Sequence, residues 1–298
     1  TMYKLEKGAC LKMQNSSYAI AAPIGSGAVG EVYKGVRLED RTLCAVKLLF
    51  AEYATDRAAF HRKLNLLVRT PPVHPAFAWP TDVSRQESQG GFAYAMPLRE
   101  GFDALAPVMR QPELLPLPER LALARAIAEP FAALHKKGLI YVDYSATNIR
   151  WRKEGEKPTV SIIDCDNITI PKGGLGLQGT GLLRAPEVML GGQPTLESDY
   201  HSEGALLFHL LVGSNPLRGQ RVAAQPFTPD SVRLYFGEKP SFIFLDPGNA
   251  PVDPRMTQRW EALPARLRAF FRYLFCEGCL QGRMERPTSA MLLQALSD

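Results

Sequence analysis

Leu134-His135-Lys136-Lys137-Gly138-Leu139-Ile140-Tyr141-Val142-Asp143-Tyr144-Ser145-Ala146-Thr147-Asn148 and, a little further on, Ser161-Ile162-Ile163-Asp164-Cys165-Asp166 say more about the architecture of this chain than any other part of it. The first stretch closes a helical pattern: Leu121, Ala124, Ile127, Phe131 and Leu134 recur at helical spacing from Pro118, a residue suited to a helix start, up to Gly138. Pro130 inside that pattern predicts a kink. Val160 to Ile163 reads as a buried strand, and Asp164 follows it directly.

Toward the N-terminus the pattern changes to strands. Ser17 to Ile24, Glu31 to Val36 and Leu43 to Phe50 are β-prone runs, separated by a glycine-rich turn and by the polar Leu38-Glu39-Asp40-Arg41. Ala59, Leu64, Leu67 and Val68 suit one helix over Thr55 to Arg69, stopped by Pro71-Pro72, and Phe92 to Met96 is a further strand before Pro97. A small β-rich lobe with one helix, residues 1–98, is expected to precede a larger, mainly helical lobe, residues 99–298. In the second lobe Ser198 to Val212 reads as a mostly buried helix, with later helices at Arg266 to Cys276 and Ser289 to Leu296. Gly213 to Pro254, rich in Pro and Gly, has weak periodicity. The fold class is α+β.

Gly25-Ser26-Gly27-Ala28-Val29-Gly30-Glu31-Val32 satisfies G-x-G-x-x-G-x-V, in which residues without a β-carbon let backbone N–H groups close over phosphate oxygens. A dinucleotide-binding fingerprint would continue into a helix, whereas Glu31-Val32-Tyr33-Lys34-Gly35-Val36 continues as a strand. A hairpin lid therefore stands against the bland alternative of a simple glycine-rich turn. Lys47 lies on the otherwise apolar strand Cys44-Ala45-Val46-Lys47-Leu48, fifteen residues after Val32. A buried ammonium needs a partner such as phosphate oxygens, the alternative being a surface lysine that snorkels to water.

Composition excludes several classes. The 298 residues are 46% hydrophobic and 22% charged, ordinary globular material, and 35 basic against 30 acidic residues leave a net charge of +5 with no basic block to track a nucleic acid. The longest apolar run, around Ala205 to Val212, is too short to span a bilayer, and no signal pattern opens the chain. A cytoplasmic protein is expected. The five cysteines are odd in number and scattered, which disfavours a disulfide framework. The Cys276-x-x-Cys279 pair lacks the second pair of ligands that a structural zinc site needs, so it reads as buried and apolar.

Taken together, these motifs resemble the eukaryotic-like (Hanks-type) protein kinases. Asp143 with Asn148 resembles the catalytic loop, and Asp164 stands where the metal-binding segment has its leading aspartate. Gly179-Thr180 and Ala185-Pro186-Glu187 resemble the end of an activation segment, Asp199 the buried aspartate of the next helix, and Gly213-Ser214-Asn215-Pro216-Leu217 the segment after it. Arg286-Pro287-Thr288 resembles the late arginine that pairs with Glu187. The resemblance implies a bilobal kinase-like fold and transfer of the γ-phosphoryl group of ATP, with Mg²⁺, to serine or threonine of a protein substrate. It implies that Ile24, Gly25, Ser26, Gly27, Gly30 and Val32 cover ATP, with Ala45, Met96, Pro97 and Arg99 around the adenine and Lys47 on the phosphates. The Pro97 carbonyl would accept from the adenine amino group and the Arg99 N–H would donate, so the missing proline N–H costs nothing. Asp143 would orient the acceptor hydroxyl, and Asn148 and Asp164 would hold the metal. His135 is structural in this pattern. Small-molecule kinases of the aminoglycoside type share the Asp and Asn pair but usually lack Ala-Pro-Glu.

Four departures matter. The helix Thr55 to Arg69 should offer Lys47 a glutamate, yet its inward candidates are Arg62, Lys63 and Asn65; Glu52 and Asp56 would need unusual geometry to substitute. That absence supports a second reading, a pseudokinase acting as a nucleotide-binding or scaffolding module. Tyr141-Val142 replaces His-Arg before Asp143, which removes the arginine that reads a phosphorylated activation segment, and only Thr169 and Thr180 carry hydroxyls between Asp164 and Glu187. Activity independent of such phosphorylation is expected. Ser145 replaces a phosphate-steadying lysine, and Asp166 replaces the glycine of the metal-binding segment. Asp164-Cys165-Asp166, with Phe77-Ala78-Trp79-Pro80-Thr81-Asp82 and Met96-Pro97, is similar to a bacterial branch of the family. Members of that branch often carry further domains, and some are encoded with a PP2C-type phosphatase and a von Willebrand A protein. The chain ends soon after its last expected helix, as an excised catalytic domain would.

Overall fold

A computed structural model describes residues 5–27, 29–50, 56–85, 92–171 and 181–297. Ala28, Glu52, Thr55 and Gly179-Thr180 lie outside the described residues. The chain divides into two compact units, Thr1–Gly101 with Ile163–Asp166, and Phe102–Ile162 with Asn167–Asp298.

The first unit is built on strands β1 (Cys10–Lys12), β2 (Ser17–Ser26), β3 (Gly30–Arg37) and β4 (Leu43–Leu49), helix α1 (Arg57–Arg69), and strands β5 (Asp82–Val83) and β6 (Phe92–Pro97). They form one antiparallel sheet in the order β1-β2-β3-β4-β6-β5. Alternation assigns the two faces. Tyr33, Cys44, Val46, Leu48, Ala93 and Ala95 turn to a buried cluster with Tyr18, Ile20 and Met13. The other face carries Val32, Ala45, Lys47, Tyr94 and Met96, because Val32 and Tyr94 both register against Lys47 and Met96 registers against Ala45.

Helix α1 begins two residues later than its apolar pattern suggests. Asp56 is its N-cap, accepting the Ala59 N–H at 2.8 Å, so this carboxylate is committed to the helix start. At the other end the Trp79 indole donates to the Leu67 and Thr70 carbonyls at 2.9 and 3.1 Å, which satisfies groups that a helix end leaves open. Asp82 accepts the N–H groups of Asn15 and Ser16 and the Tyr18 hydroxyl, and the Arg99 guanidinium donates to the Pro75 carbonyl at 2.7 Å. The Phe77-to-Asp82 motif thus ties helix, N-terminal turn and β6 together.

The second unit begins with β7 (Asp103–Ala104), α2 (Ala106–Arg110), α3 (Leu117–Lys136), β8 (Ile149–Glu154) and β9 (Lys157–Ile162), the three strands forming a small sheet. Helix α3 continues through Pro130. Then come α4 (Pro186–Met189) and α5 (Leu196–Val212); α5 opens with a capping box between Thr195 and Ser198 and ends at Gly213, whose φ of 92° suits a residue without a side chain. Almost every side chain of α5 is buried, and Phe208 at its heart packs against Phe242, Trp260 and Phe271. Burying each of these rings contributes roughly 2–3 kcal/mol. The glycine- and proline-rich stretch that follows carries short helices, α6 (Gln220–Ala223) and α7 (Pro229–Arg233), a π-helical turn at Leu234–Glu238 and a 3-10 turn at Pro247–Asn249, before α8 (Pro254–Ala262), α9 (Ala265–Leu274), α10 (Glu277–Leu280) and α11 (Ser289–Ala295). Arg286 donates to both oxygens of Glu187, at 2.6 and 2.8 Å, the pairing expected from the sequence. All five cysteines are free; of the Cys276-x-x-Cys279 pair Cys279 is buried as expected, whereas Cys276, at the start of the short helix that follows, is only partly buried, and among the described residues no cluster suited to a metal ion occurs. No helix of the described residues is long and apolar enough to cross a membrane.

Candidate active site

Lys47 is buried, and its ammonium donates to Asp164 Oδ1 at 2.9 Å and Asp166 Oδ1 at 3.0 Å. Burial works against the charged lysine, but the negative charges of Asp166 and Asp164 and their hydrogen bonds outweigh it and hold Lys47 protonated. The two carboxylates differ in access: the Asp164 side chain is 33% exposed and that of Asp166 is 1% exposed. Asp164 has a left-handed backbone, φ 56°, the kind of strain that clusters at working sites.

Asp166 is held from three sides. Tyr94, across from Lys47 in the sheet, donates to Asp166 Oδ1 at 2.7 Å, and Lys63 of α1 donates to the Asp166 backbone carbonyl. Lys63 is itself buried, with its ammonium 4.1 Å from the centre of the Phe60 ring, and burial lowers its pKa to about 7. For Asp166 burial favours the neutral acid, yet Lys47, Tyr94 and Lys63 overcome it and its pKa is lowered. Of the inward candidates named for α1, Lys63 is the one that reaches this cluster, whereas Arg62 is exposed and Asn65 bonds back to the His61 carbonyl. The sequence reading missed Asp166 as the partner of Lys47. The available signal was a charge reversal: a cation where the helix should have an acid, and an additional acid in the metal-binding segment.

The glycine-rich residues form the β2–β3 hairpin, closed by the Gly27 N–H donating to the Gly30 carbonyl at 2.9 Å, with Ile24 half exposed. The glycines are not equivalent. A β-carbon on Gly25 or Gly27 would meet nothing within 4 Å, whereas on Gly30 it would lie 2.2 Å from the Leu48 carbonyl oxygen. Gly30 is required for β3 to approach β4; at Gly25 and Gly27 the space that a β-carbon would take is open. Val32, Ala45 and Met96 share the sheet face of Lys47, and Ser26, Pro97 and Arg99 stand at or just beyond strand ends.

In the second unit Asn148 Nδ2 donates to the Asp143 carbonyl at 3.0 Å and to Asp143 Oδ2 at 3.3 Å, which brings this pair together and leaves the amide oxygen of Asn148 as its group for a cation. The Asn148 N–H donates to Ser145 Oγ at 3.1 Å, so Ser145 shapes the turn that presents Asn148. Val142, immediately before Asp143, has φ 72°. His135 Nε2 lies 2.8 Å from Asp199 Oδ2 and its Nδ1 lies 2.5 Å from Ser289 Oγ, a buried structural placement as expected. Burial opposes a charged His135, but the hydrogen bond and charge of Asp199, with Glu203, raise its pKa.

Each unit by itself carries donors of a chemical type that suits a nucleotide with a hard divalent cation. A part-exposed carboxylate at Asp164 and an amide oxygen at Asn148 are ligand types that Mg²⁺ accepts, and the Lys47 ammonium beside Asp164 suits phosphate oxygens.

A family model described as protein kinase domain matches residues 18–235. The chain is 27% identical to the serine/threonine-protein kinase pkn2 of Myxococcus xanthus over 213 residues, 68% of this chain and 25% of pkn2. It is 27% identical to the serine/threonine-protein kinase PknF of Mycobacterium tuberculosis over 215 residues, 68% of this chain and 44% of PknF. To the probable serine/threonine-protein kinase PknB of Lactococcus lactis it is 27% identical over 248 residues, 77% of this chain and 36% of PknB. The chain thus spans a quarter to less than half of the length of these relatives. A solved structure of a double mutant of the PknI kinase domain of Mycobacterium tuberculosis matches with a TM-score of 0.64 at 21% identity, over 99% of this chain and 98% of that one, a likeness of fold.

Proposed function

The chain belongs to the protein kinase domain family, and from that premise we propose that it is an ATP- and Mg²⁺-dependent kinase acting on serine or threonine hydroxyls of a protein substrate. The observation that carries this reading is the Lys47 ammonium, fixed between a buried carboxylate at Asp166 and a part-exposed one at Asp164, on the sheet face that also bears Val32, Ala45 and Met96. In this reading the apolar residues of that face, with Ile24, pack against adenine, and the Pro97 carbonyl and Arg99 N–H orient it. The hairpin through Gly25, Ser26 and Gly27, with no side chain to crowd a phosphate at either glycine and with Gly30 keeping it close to β4, covers the phosphates. Lys47 would orient the phosphates, and Asp164 and Asn148 would hold Mg²⁺, which when bound would supply positive charge to the oxygens of the transferring group. Asp143, steadied by Asn148, accepts the hydroxyl proton late in transfer.

The absent helix glutamate favours a pseudokinase only if Lys47 has no other anchor, and Asp166 supplies one. Phosphorylation of the activation segment is not needed in this reading, because Val142, where an arginine would read the phosphate, has no charge with which to do so. Thr169→Ala is therefore expected to keep catalysis. The deciding experiment is incubation of the purified chain with labelled ATP, Mg²⁺ and a generic protein acceptor beside Asp143→Asn. Transfer by the wild type and its loss in Asp143→Asn is expected; equal signals from both would overturn the assignment.

A further inference from the structure

We infer that Asp166 is the positioning residue for Lys47, in place of a carboxylate on α1, and that Lys63 ties α1 to it with the charges reversed. This rests on the kinase reading for the role of Lys47. Three observations carry it. Asp166 is 1% exposed and its Oδ1 accepts both from Lys47 and from Tyr94, at 3.0 and 2.7 Å, so its side chain has no freedom to serve a ligand in solution. Asp164, 33% exposed, is the carboxylate of the pair that can turn to a cation. When it does so, Asp166 remains as the buried counter-charge of the lysine. Lys63 then completes the arrangement: it occupies the inward position of α1 and donates to the Asp166 backbone carbonyl, so the helix grips the segment that carries the acid, and the acid grips Lys47.

The arrangement has a chemical consequence. A helix carboxylate engages Lys47 only when the helix is seated, whereas Asp166 lies two residues from Asp164 in the same short segment. The lysine and its metal-side carboxylate are therefore set by one piece of chain. Removing the Asp166 charge leaves Lys47 with Asp164 alone, and draws the lysine onto the group that should serve the cation.

The test uses the full chain with Asp166→Asn, Asp166→Gly, and the swap Asp166→Gly with Lys63→Glu, which moves the acid to α1. Affinity for a fluorescent ATP analogue is measured without Mg²⁺, so that metal ligation plays no part, beside kcat and KM for ATP with Mg²⁺ and thermal melting. Asp166→Asn is expected to weaken Mg²⁺-free binding roughly tenfold and to raise KM for ATP. The swap is expected to bind within about threefold of wild type while Asp166→Gly does not. A purely structural Asp166 would lower the melting temperature and leave the affinity of the folded protein alone. Asp166→Asn that folds and binds within about twofold of wild type overturns the inference, as does a swap that binds no better than Asp166→Gly or fails to fold. If the wild type binds the analogue but transfers no phosphate, the kinase reading falls, and the same binding comparisons still decide the role of Asp166.

Discussion

The Val142 N–H donates to Asp199 Oδ1 at 3.0 Å, and this bond holds a β-branched residue at φ 72° immediately before Asp143. A left-handed backbone at such a residue costs on the order of 1–2 kcal/mol, so it persists only where the surroundings impose it. Asp199 imposes it: its other oxygen accepts from the Tyr141 N–H at 2.7 Å and the Tyr144 hydroxyl at 3.0 Å. Asp199→Ala would leave these buried donors without acceptors. We expect a loss of roughly 3 kcal/mol or more of unfolding free energy in urea, with kcat reduced further than KM is raised, because Asp143 loses its placement. Retention of wild-type kcat in a stably folded Asp199→Ala would contradict this.

The glycine-rich hairpin separates a glycine that packing requires from glycines that packing leaves free of neighbours. Gly30→Ala puts a methyl group 2.2 Å from the Leu48 carbonyl oxygen, a backbone atom that cannot move aside without opening β3 from β4. A drop in melting temperature of several degrees is expected, of the size that roughly 1–3 kcal/mol of overpacking produces. Gly25→Ala meets nothing within 4 Å, and its stability should match wild type within about 0.5 kcal/mol. Thermal melting of the two variants without nucleotide checks the contrast.

Much of this was legible beforehand, for identifiable reasons. Strands β2, β3 and β4 announce themselves through β-prone runs around a glycine turn, and α5 through the apolar run within Ser198 to Val212, a reading that starts two residues after the observed Leu196. The pairing of Arg286 with Glu187 followed from family order. Strands β1, β5 and β7 are two or three residues long, too short for a period to show. β8 is mostly polar, Arg150-Trp151-Arg152-Lys153, and is a strand because β9 pairs with it. The anchor of Lys47 was hidden for a different reason. Its position on β4 was readable, but the direction of Asp166 depends on the turn of the backbone at Asp164, φ 56°, which no local propensity encodes.

A buried acid in the second unit gives the protein a pH signature. Burial, with the Asp199 charge adding to it and His135 and Ser289 opposing it, raises the Glu203 pKa to about 7 from an ordinary 4.5. Between those values the unfolded chain has released this proton and the folded chain keeps it. Stability therefore falls as pH rises from about 4.5 to about 7 and levels off above that. The raised pKa of His135 acts in the same sense at higher pH, since its protonated form is likewise favoured by folding. Glu203→Gln should flatten the lower slope, a difference on the order of 2–3 kcal/mol across the window. Urea denaturation of both proteins at pH 5, 6 and 7 measures it, and parallel profiles would count against the assignment.

The most direct test of the account is a thermal-shift titration with ATP, with and without Mg²⁺, on wild type, Lys47→Met and Asp164→Asn, since a ligand that binds only the folded state raises its melting temperature. Wild type should rise with ATP and rise further with Mg²⁺; Lys47→Met should lose most of both shifts, and Asp164→Asn should keep the first and lose the second. An Mg²⁺ increment that survives intact in Asp164→Asn, or an ATP shift undiminished in Lys47→Met, would contradict the account.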